Sequence, residues 1–267
     1  MKASRSIMGA IVFLSILALA SSMMAQSSMP AKHLQMYELR VKAGATAQFE
    51  NYLKKLAEAA NKAGAPQGWF AARAVLGTNG TNYYVFLGCE KWSERDSWNQ
   101  VPQFLAQAFG EAEAGKILKM GGDAIWSYDT KVFMLDEERS WNLKAAPPAP
   151  YYQILIGKVK PDMVEEYQRV ISRVKEAQEK SPSKQMGIRR STRFGPSWEF
   201  YSATPFQKWG DWDEGPGFWE VMAKAHGEDE ARHLQRTLRN CYEERKIFVI
   251  AARPDLSRQA PSPTSNE

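Results

Sequence analysis

Three ionisable side chains near the end of the chain have a spacing that suits a metal site. His226, Glu230 and His233 lie four and three residues apart, so a continuous helix would carry all three on one face. Two imidazoles and a carboxylate are ligands that Zn²⁺ accepts. His226 is also the candidate catalytic residue if the protein is an enzyme. This triplet is therefore the first hypothesis for a site.

Aromatic and basic side chains form a second group of candidates. The segment KWGDWDEGPGFW is rich in tryptophan, which could stack on a flat or sugar-like ligand or simply pack beneath a loop. Cations in neighbouring strand-like runs could meet an anionic group of a ligand or form ion pairs. The candidate ligand-binding residues are Lys158, Arg189, Arg193, Tyr201, Trp209, Trp212 and Trp219. The sequence contains no Gly-rich phosphate loop and no Ser-centred elbow.

An internal repeat shows where these candidates lie in the chain. VKAGATAQFENYLKKLAEA from Val41 aligns without gaps with VKPDMVEEYQRVISRVKEA from Val159. Further on, Lys-Trp occurs in both copies, and QAFGEAEA aligns with KAHGEDEA. Blocks in the same order at similar spacing indicate tandem copies of one unit.

The repeat weakens the metal hypothesis. His226 aligns with Phe109, a residue typical of packing, and His233 aligns with Lys116, which is typical of a solvated helix edge. We therefore predict no metal. The same difference has a second interpretation, because a fused pair can keep function in one copy only. We accordingly expect a ligand site in the second copy.

Each copy has the same predicted order of elements, βαββαβ. Alternating apolar residues (LQMYELRV; YQILIGKV) predict a strand, and apolar residues at steps of three and four predict the helix that follows. Two further strands, a second helix (about 104–120 and 219–239) and a closing strand complete the unit. This is the ferredoxin-like arrangement, an antiparallel four-stranded sheet with both helices on one face. The predicted units span 33–143 and 151–254, with a Pro-rich linker at 144–150 and a disordered tail at 255–267.

The chain resembles the dimeric α/β-barrel superfamily, whose members pair two ferredoxin-like units around a central space. Val-Lys followed by Gly or Pro and a helix with an aromatic residue, and Lys-Trp after the third strand, are similar to the NIPSNAP-like and antibiotic-biosynthesis-monooxygenase-like branches. The resemblance implies an α+β fold in which two antiparallel sheets face each other as a pseudo-dimeric α/β barrel. In haem-degrading members a helix histidine acts with a first-strand asparagine, which is absent here. Haem is therefore an alternative, and we predict no cofactor.

The strand patterns predict which side chains face the space between the sheets. In the first strand, Tyr37, Leu39 and Val41 form the more apolar face, which leaves Met36, Glu38 and Arg40 on the other. By the same register Lys158 points inward, as do Arg189, Ser191 and Arg193 if Ile188 and Phe194 face the helices. Charges inside a barrel are costly unless they are paired or wet. We expect either an ion-pair network between the sheets or contacts with an anionic ligand.

The first 25 residues have the layout of a signal peptide. Lys2 and Arg5 precede an apolar run from 7 to 20, and small residues follow, so we expect cleavage after Ala25 and export to the periplasm or the extracellular medium. An uncleaved anchor is the alternative. The run is too short to span a bilayer comfortably, and no later run is long enough, which predicts no stable membrane insertion after cleavage.

Charge and cysteine content restrict the class of partner. The formal net charge is +5, from 35 basic and 30 acidic residues that are interspersed, so we predict no nucleic-acid partner. Cys89 and Cys241 occupy non-equivalent places, which favours two buried free thiols over a disulfide between the copies. Oligomerisation stays open.

Three hypotheses of function follow. The first is an exported protein that binds a small organic molecule, anionic or aromatic, between the sheets of the second copy. The second is a monooxygenase-type or isomerase-type enzyme that uses His226 with barrel arginines. The third is a structural or assembly protein.

Overall fold

The computed structural model describes residues 30–78, 81–97, 100–144, 148–182, 185–214 and 216–260. The predicted signal peptide at 1–25 lies outside these ranges, as do residues 145–147 of the predicted linker and 261–267 of the predicted tail. Within the described ranges, no helix has both the length and the apolar character needed to cross a membrane.

The two halves of the chain contain the same series of strands and longer helices, and the second half has one additional short helix. The first half consists of β1 (His33–Val41), α1 (Thr46–Lys62), β2 (Phe70–Leu76), β3 (Asn82–Cys89), α2 (Val101–Phe109), α3 (Glu111–Ala124) and β4 (Ile125–Leu135). The second consists of β5 (Tyr151–Val159), α4 (Val164–Lys180), β6 (Ile188–Phe194), β7 (Glu199–Phe206), α5 (Asp211–Glu214), α6 (Phe218–His226), α7 (Glu228–Cys241) and β8 (Tyr242–Ala252). Short 3₁₀ turns follow β3 and precede α4.

The eight strands form a closed antiparallel barrel in the order β1-β3-β2-β8-β5-β7-β6-β4. Each half supplies four adjacent strands, and the halves meet where β2 pairs with β8 and where β4 pairs with β6. The protein is therefore a mixed α+β fold around an eight-stranded barrel. Every strand has a neighbour on both sides, so one chain closes the barrel without an open edge.

A glycine divides the second helix of each half into two. Gly110 (φ 82°) separates α2 from α3, and Gly227 (φ 87°) separates α6 from α7. Positive φ costs glycine little because it lacks a Cβ, whereas a continuous helix needs negative φ throughout. The prediction of one continuous second helix in each copy was wrong for this reason.

Large side chains and ion pairs occupy the barrel interior. The buried interior cluster includes Met36, Tyr84, Phe86, Phe133, Ile154, Tyr201, Phe248 and Ile250. Glu38 accepts a bond from Lys246 Nζ at 2.7 Å, and Lys131 Nζ lies 2.9 Å from Glu199 Oε1. Each pair joins the first half to the second. Of the two expectations for charges between the sheets, the structure shows the ion-pair network.

The predicted register of β6 is off by one residue. Ile188 packs against the interior cluster, so the inward positions on this strand are Ile188 and Arg190. Arg190 is 3% exposed and donates to the carbonyl oxygen of Ala31 at 2.8 Å, and burial lowers its pKa to about 10. Because side chains alternate along a strand, Arg189 lies on the side that faces the helices, and Arg193 is exposed next to a register shift.

β4 and β8 are each followed by a segment that crosses to the other half. We call residues 136–141 the first clasp and residues 253–258 the second clasp. Each clasp ends in an isolated antiparallel bridge to the residue that precedes a strand of the other half. The bridges join Trp141 to Gly187 and Arg258 to Trp69. The two halves are therefore held together by reciprocal crossovers as well as by strand pairing.

Matched serines attach the two clasps. Ser140 Oγ accepts a hydrogen bond from the backbone N–H of Arg189 at 2.9 Å, and Ser257 Oγ accepts one from the backbone N–H of Ala71 at 2.9 Å. Arg189 and Ala71 occupy aligned positions in β6 and β2. The same contact thus occurs once in each half.

The second clasp corrects the prediction of a disordered tail from residue 255. Leu256 is fully buried in the first half, against Phe49, Leu53 and Tyr83. Arg258 is 6% exposed, and its guanidinium donates to backbone carbonyls at the end of α1 and in the loop that follows. A short segment with one buried apolar residue has no periodicity, so its sequence resembles that of a disordered tail.

The two cysteines are free and buried. Cys89 ends β3 and Cys241 ends α7, in agreement with the expectation of two unpaired thiols. Burial raises the pKa of both thiols. Both are therefore thiols and not thiolates at neutral pH.

An ion pair between the second clasp and α1 makes stability sensitive to acid. Arg253 donates to both carboxylate oxygens of Glu50, and this contact holds the Glu50 pKa below its usual 4.5. A carboxyl whose pKa is lowered by folding stabilises the native state above its ordinary pKa, and the contribution is lost as pH falls through the folded pKa. We expect Glu50→Gln to unfold at lower urea than the parent at neutral pH, and the difference to shrink below pH 4.5. Equal losses at both pH values would contradict this assignment.

Candidate functional site

A cavity of about 310 Å³ lies in the first half, between the helices and the outer face of the barrel. Apolar positions of α1 form one wall, α2 forms a second, and the outward side chains of β1 and β3 form the floor. The cavity lining includes Tyr37, Tyr52, Leu56, Ala59, Ala60, Trp69, Val85, Phe104 and Tyr128. α1 contributes because its apolar residues recur at steps of three and four, and β1 contributes the alternate face to the interior one.

The lining of this cavity consists mainly of apolar side chains and phenol groups. None of its lining residues is charged. Burial raises the pKa of Tyr37 and of Tyr52, so both stay neutral phenols over the physiological range. Trp69 donates its indole N–H to the carbonyl of Leu256 at 2.8 Å, so the second clasp orients one wall. The cavity suits a neutral, mainly apolar molecule that can exchange one or two hydrogen bonds.

In the second half, two side chains of the protein occupy part of the corresponding space. Arg189 stands where the first half has Ala71, and its guanidinium lies 4.8 Å from the ring centroid of Trp141. Trp141 is 4% exposed and packs among side chains of α4 and α6. Gly187 leaves room for it, since a Cβ there would lie 2.2 Å from the indole ring. The cavity therefore lies in the first half and on the helix side, not between the sheets of the second copy as predicted.

His226 joins two helices. Its Nε2 lies 2.9 Å from the carbonyl oxygen of Arg173 and its Nδ1 lies 2.9 Å from the Arg173 guanidinium. A carbonyl accepts and a guanidinium donates, so the contacts describe a neutral imidazole protonated on Nε2. In the first half the aligned pair is Lys55 and Phe109, with the ammonium 4.9 Å from the ring centroid. His226 thus replaces a packing residue, and the structure gives no geometry for its predicted catalytic role.

The metal triplet does not assemble. His226 ends α6, whereas Glu230 and His233 belong to α7 on the other side of Gly227, and the His233 side chain is exposed. Among the described residues, no group of three or more His, Cys, Asp or Glu side chains could hold a metal ion. The spacing argument failed because it required a continuous helix.

The predicted ligand-binding residues are spread over several places. Trp209 and Trp212 share an exposed aromatic cluster with Phe206, whose ring centroid is 5.5 Å from each. Trp219 is separate, packed against the helical core of the second half and edge-on to Phe218. Lys158 pairs with Glu243 at 2.8 Å, and Tyr201 is buried in the barrel interior. Arg193 is exposed, and Arg189 lies beneath Trp141. These residues do not converge on one site.

Sequence reasoning missed the first-half cavity because its lining consists of ordinary core residues. The aligned copies offer a weak signal. Ala60, which lines the cavity, stands opposite Gln178, so the first copy has the smaller side chain there. Trp69, which also lines the cavity, stands opposite Gly187, so the difference is reversed at another part of the wall and side-chain volumes alone do not reveal the cavity.

The fold is similar to those of several solved proteins, although no family model and no curated protein matches the chain. A proposed monooxygenase from Lactobacillus acidophilus is 11% identical, with a TM-score of 0.52 over 87% of this chain and 97% of that one. A proposed monooxygenase from Fusobacterium nucleatum is 10% identical, with a TM-score of 0.51 over 85% and 94%. An anthrone oxidase-like protein is 13% identical, with a TM-score of 0.50 over 86% and 94%. At these identities the similarities show the dimeric α/β-barrel type of fold alone.

Proposed function

We propose that the protein binds a small, neutral, mainly aromatic organic molecule in the first-half cavity. The observation that carries this proposal is an uncharged cavity of about 310 Å³ lined by apolar side chains and phenol groups. Its volume lies at the lower end of the range of small-molecule sites, and its composition, apolar walls with a few polar groups, is typical of them.

The energetics of packing support a ligand. The cavity opens to solvent, so a ligand that covers its apolar lining removes that surface from water, at about 25 cal/mol per Å². In the second half the Trp141 indole packs among the helices. In the first half the residue aligned with Trp141 is Arg258, which turns away to bond the end of α1, and the indole of Trp69 lines the cavity instead. A bound apolar molecule would cover the remaining apolar surface.

We also propose that the halves are tandem ferredoxin-like copies, and that the 1–25 leader exports the protein to the periplasm or the medium. The matched clasp serines and the aligned pairs Lys55–Phe109 and Arg173–His226 support the duplication. Among the branches considered, the solved neighbours described as monooxygenases favour the antibiotic-biosynthesis-monooxygenase-like one over the NIPSNAP-like one. Because one chain closes the barrel, oligomerisation is not needed to complete the site.

The second candidate function is oxygenation of a molecule bound in the same cavity. It is favoured by the phenol groups of Tyr37, Tyr52 and Tyr128 at the cavity wall and by the fold shared with the anthrone oxidase-like protein. His226 has no part in it, since both of its ring nitrogens contact Arg173.

The lining residues do not fit haem. None of them is His, Cys or Met, and none is a Lys or Arg that could pair with a propionate. Tyrosine, the remaining axial ligand, binds iron as a phenolate, and burial raises the pKa of Tyr37 and Tyr52, which disfavours that form. We therefore derive no step through haem for this protein.

Filling the cavity tests both candidates. Leu56 lines it, and Leu56→Trp would place an indole in the space without adding charge. We expect 1-naphthol to raise the melting temperature of the parent, since a ligand of the native state stabilises it. Leu56→Trp should weaken naphthol binding roughly tenfold or more, because the two rings compete for one volume. Oxygen uptake with anthrone, if the parent shows any, should fall in the same variant.

Val75→Trp provides the control, because Val75 is 44% exposed on β2 and lines no part of the cavity. This variant adds the same indole at an exposed position outside the cavity, so it should bind naphthol with the affinity of the parent. Circular dichroism would show that both variants fold. Equal naphthol affinity in Leu56→Trp and the parent would exclude this cavity as the site.

A further inference from the structure

Unpartnered polar atoms lie under the helices of the second half. Arg189 Nε, Ser202 Oγ and Trp141 Nε1 are each buried and have no hydrogen-bond partner. Arg189 and Ser202 are direct cross-strand partners on β6 and β7, so their side chains leave the same face of the sheet with Cβ atoms about 5 Å apart. Unsatisfied buried donors are rare in native proteins, and a group of them at one place calls for a ligand.

The Arg189 guanidinium has no carboxylate in direct contact, although Asp136, whose backbone N–H bonds the Arg189 carbonyl, lies nearby and pairs with Arg139. In the described part of the chain, no carboxylate forms an ion pair with Arg189, and the nearest recorded partner of its guanidinium is the face of Trp141, 4.8 Å away. A partly exposed cation against an aromatic ring gains some stabilisation, and its buried Nε–H still needs an acceptor. A bound anion would provide both the charge and the acceptors.

Two phenols complete the surroundings. The hydroxyls of Tyr167 and Tyr242 interact with each other, and burial raises the pKa of both while the Arg189 charge opposes that rise. Both phenols therefore lie near the guanidinium and are protonated. A phenol O–H is a good donor to an oxyanion, whereas neither hydroxyl can neutralise Arg189.

The polar set is absent from the first half. At the aligned positions Arg189 is replaced by Ala71, Ser202 by Val85 and Tyr242 by Ile125, which are all apolar. Ala71 and Val85 are themselves cross-strand partners, so the geometry is the same and only the chemistry differs. The two copies have therefore diverged into one apolar and one cationic environment at the same place in the fold.

We propose that the second half contains a binding site for a small oxyanion, such as a carboxylate group or nitrate. Arg189 supplies charge-assisted hydrogen bonds from its guanidinium, and Ser202 supplies a hydroxyl beside it. Tyr242, the first residue of β8, supplies a phenol hydroxyl. Arg189 is partly exposed, which gives the anion a route from solvent. This site is separate from the first-half cavity, and its existence does not depend on the function proposed there.

The test uses anion titrations of the full chain at constant ionic strength, with nitrate in one arm and benzoate in the other. We expect the ¹⁵N–¹H resonance of Arg189 Nε to shift saturably. Arg189→Ala should weaken binding roughly tenfold or more, and Ser202→Val by a smaller factor, because a hydrogen bond to a charged group contributes more than a neutral one. Binding of both anions indicates a free oxyanion site, and binding of benzoate alone indicates that the carboxylate belongs to a larger organic ligand.

The first half provides the precedent that these variants fold, since alanine and valine occupy the aligned positions there. Arg193→Ala is the matched control, because Arg193 lies on the same strand and is exposed. It should bind like the parent. The proposal is overturned if no resonance shift saturates, which would mean that water alone satisfies these groups, or if Arg189→Ala and the parent bind both anions equally well.

Discussion

Deleting residues 253–267 is expected to destabilise the whole protein by about 5 kcal/mol or more, although the described part of that segment, 253–260, forms no helix and no strand of the barrel. Natural domains are stable by about 5–15 kcal/mol, so such a loss would leave a large fraction unfolded or lower the melting temperature by roughly 10 °C or more. The measurement is thermal and urea unfolding of the truncated chain.

The loss has three physical sources in the second clasp. Leu256 is fully buried in the first-half core, and removing a buried leucine costs about 2–5 kcal/mol. Arg258 bonds the carbonyls of Ala60 and Ala65 at the end of α1, which would lose these partners. Arg253 pairs with Glu50, which would then lack its counter-ion.

A shorter deletion is the matched control. Residues 261–267 lie outside the described residues, and their sequence, PSPTSNE, has no apolar residue. Removing them should leave the unfolding midpoint unchanged. If the two truncated proteins unfolded alike, the second clasp would have no part in stabilising the first half.

Trp141→Ala is expected to cost about 3–5 kcal/mol, the usual range for removing a fully packed Trp from a core. Trp141 is 4% exposed, packs against α4 and α6, and covers the Arg189 guanidinium. Its removal would leave a cavity and would remove the ring that packs on the partly exposed Arg189 guanidinium. Urea unfolding at neutral pH measures the change.

Trp126→Ala tests whether the effect comes from burial and not from losing an indole. Trp126 is 76% exposed on β4, so we expect a change within about 0.5 kcal/mol. Equal effects of the two substitutions would show that the first clasp does not pack into the second half. Trp141→Ala should also create in the second half a space like the first-half cavity, visible as additional naphthol binding.

Several features of the fold followed from local patterns. Period-two alternation in β1 and β5 and the three-and-four spacing in α1 and α4 predicted those elements, because each pattern places one apolar face on a core. The repeat placed the elements in order, and the first-strand pattern correctly separated Met36 and Glu38 from Tyr37 and Leu39. These are properties of short segments, so a short stretch of sequence suffices to determine them.

Other features depended on residues that are far apart in the chain. In β6, IRRSTRF contains too few apolar residues to reveal its face, and only the packing of Ile188 in the barrel interior shows that Arg190 points inward and Arg189 outward. The break at Gly227 separated His226 from Glu230 and His233, since a glycine can continue a helix or end it according to its surroundings.

The sequence by itself determined the class of fold and the order of the strands. Only the tertiary structure decided where space and charge remain. The first-half cavity lies between side chains of α1, α2, β1 and β3, with the indole of Trp69 held at its wall by the second clasp. Segments far apart in the chain therefore contribute to its shape. No single segment contains it, and for that reason the sequence did not reveal the cavity.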